Sequence, residues 1–207
     1  MRLLDIEEQL NSNKNHKKVY ITNIAINKVP NAKYKEIPIY EHKIINDLAK
    51  KVLSIAKNEN NSNEVVITYK LFSKNANDNI GLELGTENEA DPLNDATSYH
   101  IIMKEKKCVV VLLHNHPALS IISMQDIRFL LEYNSIKLMV VVTNKGKLSY
   151  MVKTDKYSKI DSVRLFNKSV EKYNTAKKVS DREYATSFFI KNCNKCGLIY
   201  VSEKGGN

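Results

Sequence analysis

Residues 109–126 read Val-Val-Val-Leu-Leu-His-Asn-His-Pro-Ala-Leu-Ser-Ile-Ile-Ser-Met-Gln-Asp, and no other stretch constrains the fold as strongly. From Cys108 to Leu113 the residues are all apolar, the pattern of a strand buried on both faces. Such a strand needs other strands beside it and helices above and below, which commits the chain to a layered α/β design. His114 and His116 sit where this strand ends, and Pro117 removes an amide and stiffens the exit. Ser123 and Asp126 stand where a helix begins, with Ile127, Leu130 and Leu131 facing inward.

The rest of the chain supplies the partners this strand requires. Residues 19–29 alternate well enough to predict a strand. Residues 41–57 predict an amphipathic helix, with Ile44, Ile45, Leu48, Val52, Leu53 and Ala56 recurring on one face. Residues 64–72 are rich in β-branched and aromatic side chains and predict a strand, and residues 80–85 a second one paired to it across a turn at 73–79. An acidic loop over 86–95 precedes a helix at 96–106, with Tyr99, Ile102 and Met103 on one side. A buried strand at 138–143 turns at Asn144-Lys145-Gly146-Lys147 into its return, 148–152. Helix is expected from 158 onward, in two pieces near 161–178 and 181–192, with Gly197 available to cap the second. Residues 1–18 make a short helix at most.

The sum is a three-layer α/β/α sandwich around a mixed sheet. At 207 residues the chain divides into an N-terminal extension over 1–40, a core over 41–157 and a C-terminal helical segment over 158–207 packed on that core. Ligand sites in open α/β sheets gather at the carboxyl ends of strands, which is where the two histidines fall.

The apolar runs are too short to span a membrane. The first ten residues carry acids where an export signal needs an apolar run. Three cysteines, an odd number, make a poor disulfide framework, so a reduced, cytoplasmic location is expected. The net charge of +9 is uneven: residues 1–100 hold 13 basic and 14 acidic side chains, and residues 101–207 hold 19 and 9. A basic face of that kind suits nucleic acid or an acidic partner. A solvated helical surface is the preferred explanation, since no aromatic residues are interleaved with the charges to make a nucleic-acid motif.

A hydrolytic zinc site takes three protein ligands and leaves one position for water. In an extended segment His114 and His116 point to the same side, about 6–7 Å apart along the chain, so both imidazoles can close on one ion. Asp126, from the first turn of the next helix, supplies a third donor. A further carboxylate must move the proton; the candidates are Glu64, Glu83, Glu87 and Glu89, and Glu64 is preferred because it heads a strand. Ser123 and Asp126 also form a capping box, worth about 1 kcal/mol with no catalysis involved, and His-Asn-His-Pro read alone is a polar turn. The helix-capping and metal-binding roles are compatible. Cys193-Asn-Lys-Cys196 has no second pair to close a zinc site and ends a helix, so both are read as ordinary cysteines. Cys108 is read as core, and His16, His42 and His100 lack partners at ligand spacing.

The sequence His114-Asn-His116-Pro, followed by Ser123-Met-Gln-Asp126-Ile127, resembles the motif of the JAB/MPN (JAMM) zinc metalloproteases, and within them the RadC-like bacterial branch. That resemblance implies one zinc ion per chain, with His114, His116 and Asp126 as metal ligands. It implies Glu64, 50 residues before His114, as the group that activates water, and Ser123 as the helper that stabilises the developing oxygen charge. The implied substrate is a peptide or an isopeptide-linked protein. Two departures are visible: six residues, 117–122, separate His116 from Ser123 where the usual pattern has seven, and Ala118-Leu119 stand where RadC relatives tend to have Ser-Gly. A zinc deaminase would need His-x-Glu and then Pro-Cys-x-x-Cys, and neither is present. In an HNH nuclease the histidines and asparagine are spread along the chain rather than adjacent. A non-catalytic RadC-like module, holding nucleic acid through the basic second half, is the remaining alternative.

Overall fold

Burial on both faces is met by setting the apolar run inside a six-stranded mixed sheet. The computed structural model describes residues 18–73, 80–118, 120, 122–174 and 180–203. In chain order these form α1 (Asn23–Asn27), α2 (Ile39–Glu59), β1 (Val65–Lys70), β2 (Ile80–Leu84), α3 (Ala96–Lys104), β3 (Val110–His116), α4 (Met124–Glu132), β4 (Ile136–Thr143), β5 (Leu148–Lys153), α5 (Lys159–Asn174), α6 (Ser180–Asn192) and β6 (Leu198–Glu203). The strand order is β2-β1-β3-β4-β5-β6. Only β3 and β4 run parallel; the other neighbours are antiparallel. A parallel pair cannot be joined by a tight turn, and α4 is the crossover between them.

Alternation along the strands sends side chains to two separate cores. Ile67, Tyr69, Val111, Leu113, Val140 and Val142 pack beneath α2 with Ile45, Ala49, Val52 and Leu53. Val110, Leu112, Met139, Val141 and Met151 pack on the other face with Ile127 and Leu130 of α4, Phe166 of α5 and Phe189 of α6. Each fully buried aliphatic or aromatic side chain contributes about 1.5–3 kcal/mol, which is what holds helices to both faces. All seven residues of β3 are buried, the two histidines included.

Several local expectations are corrected. Residues 19–29 are not a strand. Thr22 caps α1, its Oγ1 accepting from the Ala25 amide at 3.1 Å. The buried residues there, Ile21, Ala25 and Val29, recur every four, a helical spacing hidden within an apparent alternation. With Ala32, Tyr34 and Ile37 they lie in the α2-side core, so residues 18–40 are packed on the sheet. In α3 the buried face is Ser98, Ile101 and Ile102, while Tyr99 and Met103 are 47% and 46% exposed. Ile44 on α2 is likewise 42% exposed. The α2 face instead includes a buried acid, Glu41, which accepts from the Tyr69 hydroxyl at 2.7 Å and the Phe72 amide at 2.9 Å. Cys108 is exposed rather than core, because β3 starts only at Val110.

The C-terminal segment is not helical to its end. After a 3-10 turn at Cys193–Cys196, Gly197 takes φ 75° and turns the chain into β6, which pairs with β5. Gly197 thus caps this turn rather than α6 itself. The short helix expected within 1–18, the turn over 74–79, His16, and the stretch joining the two C-terminal helices at 175–179 lie outside the described residues. Among the described residues no helix is long and apolar enough to cross a membrane.

Candidate metal centre

The carboxyl end of β3 meets two other elements. The antiparallel register with β1 sets Val66 opposite His114. Two residues earlier, on the same face, Glu64 therefore comes level with His116. From the other side α4 points its first turn at the strand end. Ser123 caps that helix: its Oγ accepts from the Asp126 amide at 3.1 Å, and the Ser123 amide donates to Asp126 Oδ2 at 2.6 Å. The capping box thus fixes the Asp126 carboxylate over the histidines.

The donor atoms lie close enough together to meet at one ion. Nε2 of His114 lies 3.0 Å from Nε2 of His116. Asp126 Oδ1 lies 3.1 Å from His114 Nε2, and Oδ2 lies 3.4 Å from His116 Nε2. Donors of Glu64, His114 and His116 fall within 4.8 Å of one another, a group that could hold a metal ion. Ligands about 2.1 Å from a tetrahedral zinc stand about 3.3–3.4 Å apart, so the residues present fit such an ion.

The ring orientations fit as well. Nδ1 of His116 is 3.0 Å from both the carbonyl oxygen and the hydroxyl of Ser120, so this nitrogen is engaged by the loop while Nε2 faces the cluster. Burial disfavours a charge on His116, but the Asp126 carboxylate, with Glu64 and the Ser120 carbonyl behind it, outweighs burial and lifts its pKa to about 9. Burial likewise opposes ionisation of Asp126, yet His114 and His116 hold its carboxyl well below the usual range. Two imidazoles against an ionised carboxylate call for a cation, and a proton or a metal can serve.

The cluster opens into a cleft of about 450 Å³. Its apolar lining includes Leu112, Met139, Phe129 and Tyr133, the last two with ring centroids 4.7 Å apart. Its carboxylates are Glu64, Glu87, Glu89, Asp91, Asp126 and Glu132, against one guanidinium, Arg128, which lies 4.0 Å from Glu132. Burial, reinforced by the Glu132 and Asp91 charges, raises the Tyr133 pKa.

Glu64, His114, His116 and Asp126 are thus brought together, and Ser123 lines the same cleft. Of the other acids considered, Glu87 and Glu89 line the cleft away from the histidine cluster, and Glu83 lies on β2, outside the lining. Cys193 and Cys196 are buried in the α5/α6-side core, and burial pushes the Cys193 thiol up to about 11, the opposite of a reactive thiolate. His42 Nε2 faces the Ile37 carbonyl at 3.0 Å, and His100 is exposed.

Two residues at the site escape sequence reasoning. One is Ser120, through its contact with His116. The other is Asn115, whose Oδ1 accepts from the Val65 amide at 2.8 Å and whose Nδ2 donates to the Asn63 carbonyl at 3.0 Å and to Asn144 Oδ1 at 2.8 Å. No protein-family model, no curated protein and no solved structure matches the chain.

Proposed function

We propose that the chain is a zinc-dependent metallopeptidase or isopeptidase of the JAMM type, hydrolysing an amide bond with water. One observation carries the reading: two imidazole nitrogens and a carboxylate at tetrahedral spacing, with a second carboxylate beside them, at the head of an open cleft. His114, His116 and Asp126 are the ligands, in the ratio of one ion per chain. Zinc held there supplies a Lewis acid and brings a water's pKa toward neutrality. Glu64 takes a proton from the attacking water as its oxygen bonds to the carbonyl carbon. It returns that proton to the amine as the carbon–nitrogen bond breaks. Ser123 Oγ accepts the Asp126 amide, which leaves its O–H free to donate to the carbonyl oxygen as charge builds there.

The test is zinc content and hydrolysis in matched variants. Wild-type protein is expected to carry zinc at one per chain and to cleave peptide or isopeptide substrates. Glu64→Gln is expected to keep the metal and lose at least about 100-fold in rate. Zinc retained in full by the His114→Ala/His116→Ala double variant sinks the proposal.

A further inference from the structure

We infer that Asn115 is a positioning residue for Glu64, clamping the backbone on both sides of that carboxylate so that it faces the histidines. The inference rests on the peptidase reading only where a rate is measured. Asn115 is fully buried, and alternation along β3 turns its side chain away from the face that carries His114 and His116. Its amide bonds to the residue before Glu64, through the Asn63 carbonyl, and to the residue after it, through the Val65 amide. Glu64's own amide donates to the Thr86 carbonyl and its carbonyl accepts from the Gly85 amide, both at 2.9 Å. Backbone groups of three consecutive residues are therefore tied down around one side chain.

The clamp continues into the loop before Glu64. Asn144, held by the Asn115 amide, donates from Nδ2 to the Ser62 carbonyl at 2.9 Å and to the Val19 carbonyl at 2.7 Å. In that loop Asn61 and Ser62 take φ values of 49° and 60°, the left-handed region, which Asn enters readily and Ser seldom does. Only a carboxamide meets this geometry, because position 115 must offer one acceptor and two donors at once. Aspartate lacks the donors, and an apolar residue lacks both. The Asn between the two histidines thus couples the strand that carries two ligands to the segment that carries the proton-moving acid.

The experiment follows the Glu64 side-chain carboxyl by carbon-13 NMR in the full chain while zinc is added. In wild type, zinc is expected to shift the Glu64 resonance. In Asn115→Ala, zinc is expected to bind within about threefold of the wild-type affinity while the Glu64 shift is lost. Turnover should fall about 100-fold at an unchanged KM. Added to Glu64→Gln, the same substitution should cost less than about twofold, since residues acting through one another are not additive. Asn115→Ser, which keeps a polar atom but cannot reach both Asn63 and Val65, carries the same expectations.

A wild-type Glu64 shift in Asn115→Ala overturns the inference, as does an equal loss in the Glu64→Gln background. Loss of zinc from the variant also overturns it, because Asn115 would then act on the histidines. Insolubility of both variants does so too, by assigning the network to the fold. If wild-type protein binds zinc and cleaves nothing, the peptidase reading fails, while the NMR comparison still decides the role of Asn115.

Discussion

His116 is oriented by a residue outside the candidate metal cluster. The Ser120 carbonyl and hydroxyl both meet Nδ1, and Nε2 faces His114 and Asp126. Asp126 does two jobs, closing the helix cap with one oxygen and facing both imidazoles with the pair. Asp126→Asn keeps an oxygen for the Ser123 amide but puts a neutral amide beside the histidines. It is expected to fold with α4 intact and to bind zinc at least about 100-fold more weakly, measured by competition with a chromophoric chelator; unchanged affinity would remove Asp126 from the ligand set. The clustering of His114, His116 and Asp126 and the Ser123 helix cap are legible in the sequence because both follow from local spacing on one strand and one helix start. Glu64 is legible only through its place at the head of a strand. Asn115 and Ser120 are not, because one bonds across 50 positions and the other acts through a main-chain oxygen whose direction depends on the loop.

At the scale of elements, α4 is anchored at both ends. Its start rests on the Ser123 cap, so Ser123→Ala should destabilise the zinc-free chain by about 1 kcal/mol and lower Tm by about 2–4 °C. A larger loss would mean that the residue supports more than the helix. Beyond the helix's other end, Lys153 of β5 is buried and donates from Nζ to the Tyr133 carbonyl at 2.8 Å, with its ammonium 4.9 Å above the Tyr157 ring. Burial lowers its pKa from 10.5 to about 8. The unfolded chain then keeps this proton to higher pH than the folded one, so the Lys153 contribution improves as pH rises from about 8 to 10.5. Below that window the full cost of burying the charge is present. Denaturant unfolding of wild type and Lys153→Met across this range should show wild type gaining relative to the variant as pH rises; parallel curves would refute it. The strands β1, β3, β4 and β5 are legible because short runs rich in apolar and β-branched residues mark strands buried on both faces, and the helices α2 and α4 because burial imposes a helical period on each. β6 is not: Leu-Ile-Tyr-Val after Gly197 is short, and its reason to be a strand is the open edge of β5, a distant partner. For α1 the period of four is too short to outvote an apparent alternation.

For the whole molecule, the distribution of charge matters more than its total. The chain carries +9, yet among the described residues six carboxylates and one guanidinium line the cleft that holds the histidine cluster. The basic surplus of residues 101–207 is therefore not concentrated in this lining. If the chain is the peptidase proposed above, a peptide that presents lysine or arginine near the scissile amide is expected to be attracted to the same lining. Acidic walls above an aromatic pair, Phe129 and Tyr133, also suit the aliphatic stem and charged head of such a side chain. Two peptides identical except for lysine or glutamate beside the cleaved bond are therefore expected to differ at least about tenfold in kcat/KM at low salt, with lysine preferred and the difference mainly in KM. The preference should shrink as salt rises from about 0.01 M to about 1 M, because the screening length falls from about 30 Å to about 3 Å. Equal rates for the two peptides at low salt, or a preference for glutamate, would show that the cleft's charge does not select the substrate. A lysine preference insensitive to salt would place the selection in direct desolvated contacts rather than in the field of the six carboxylates.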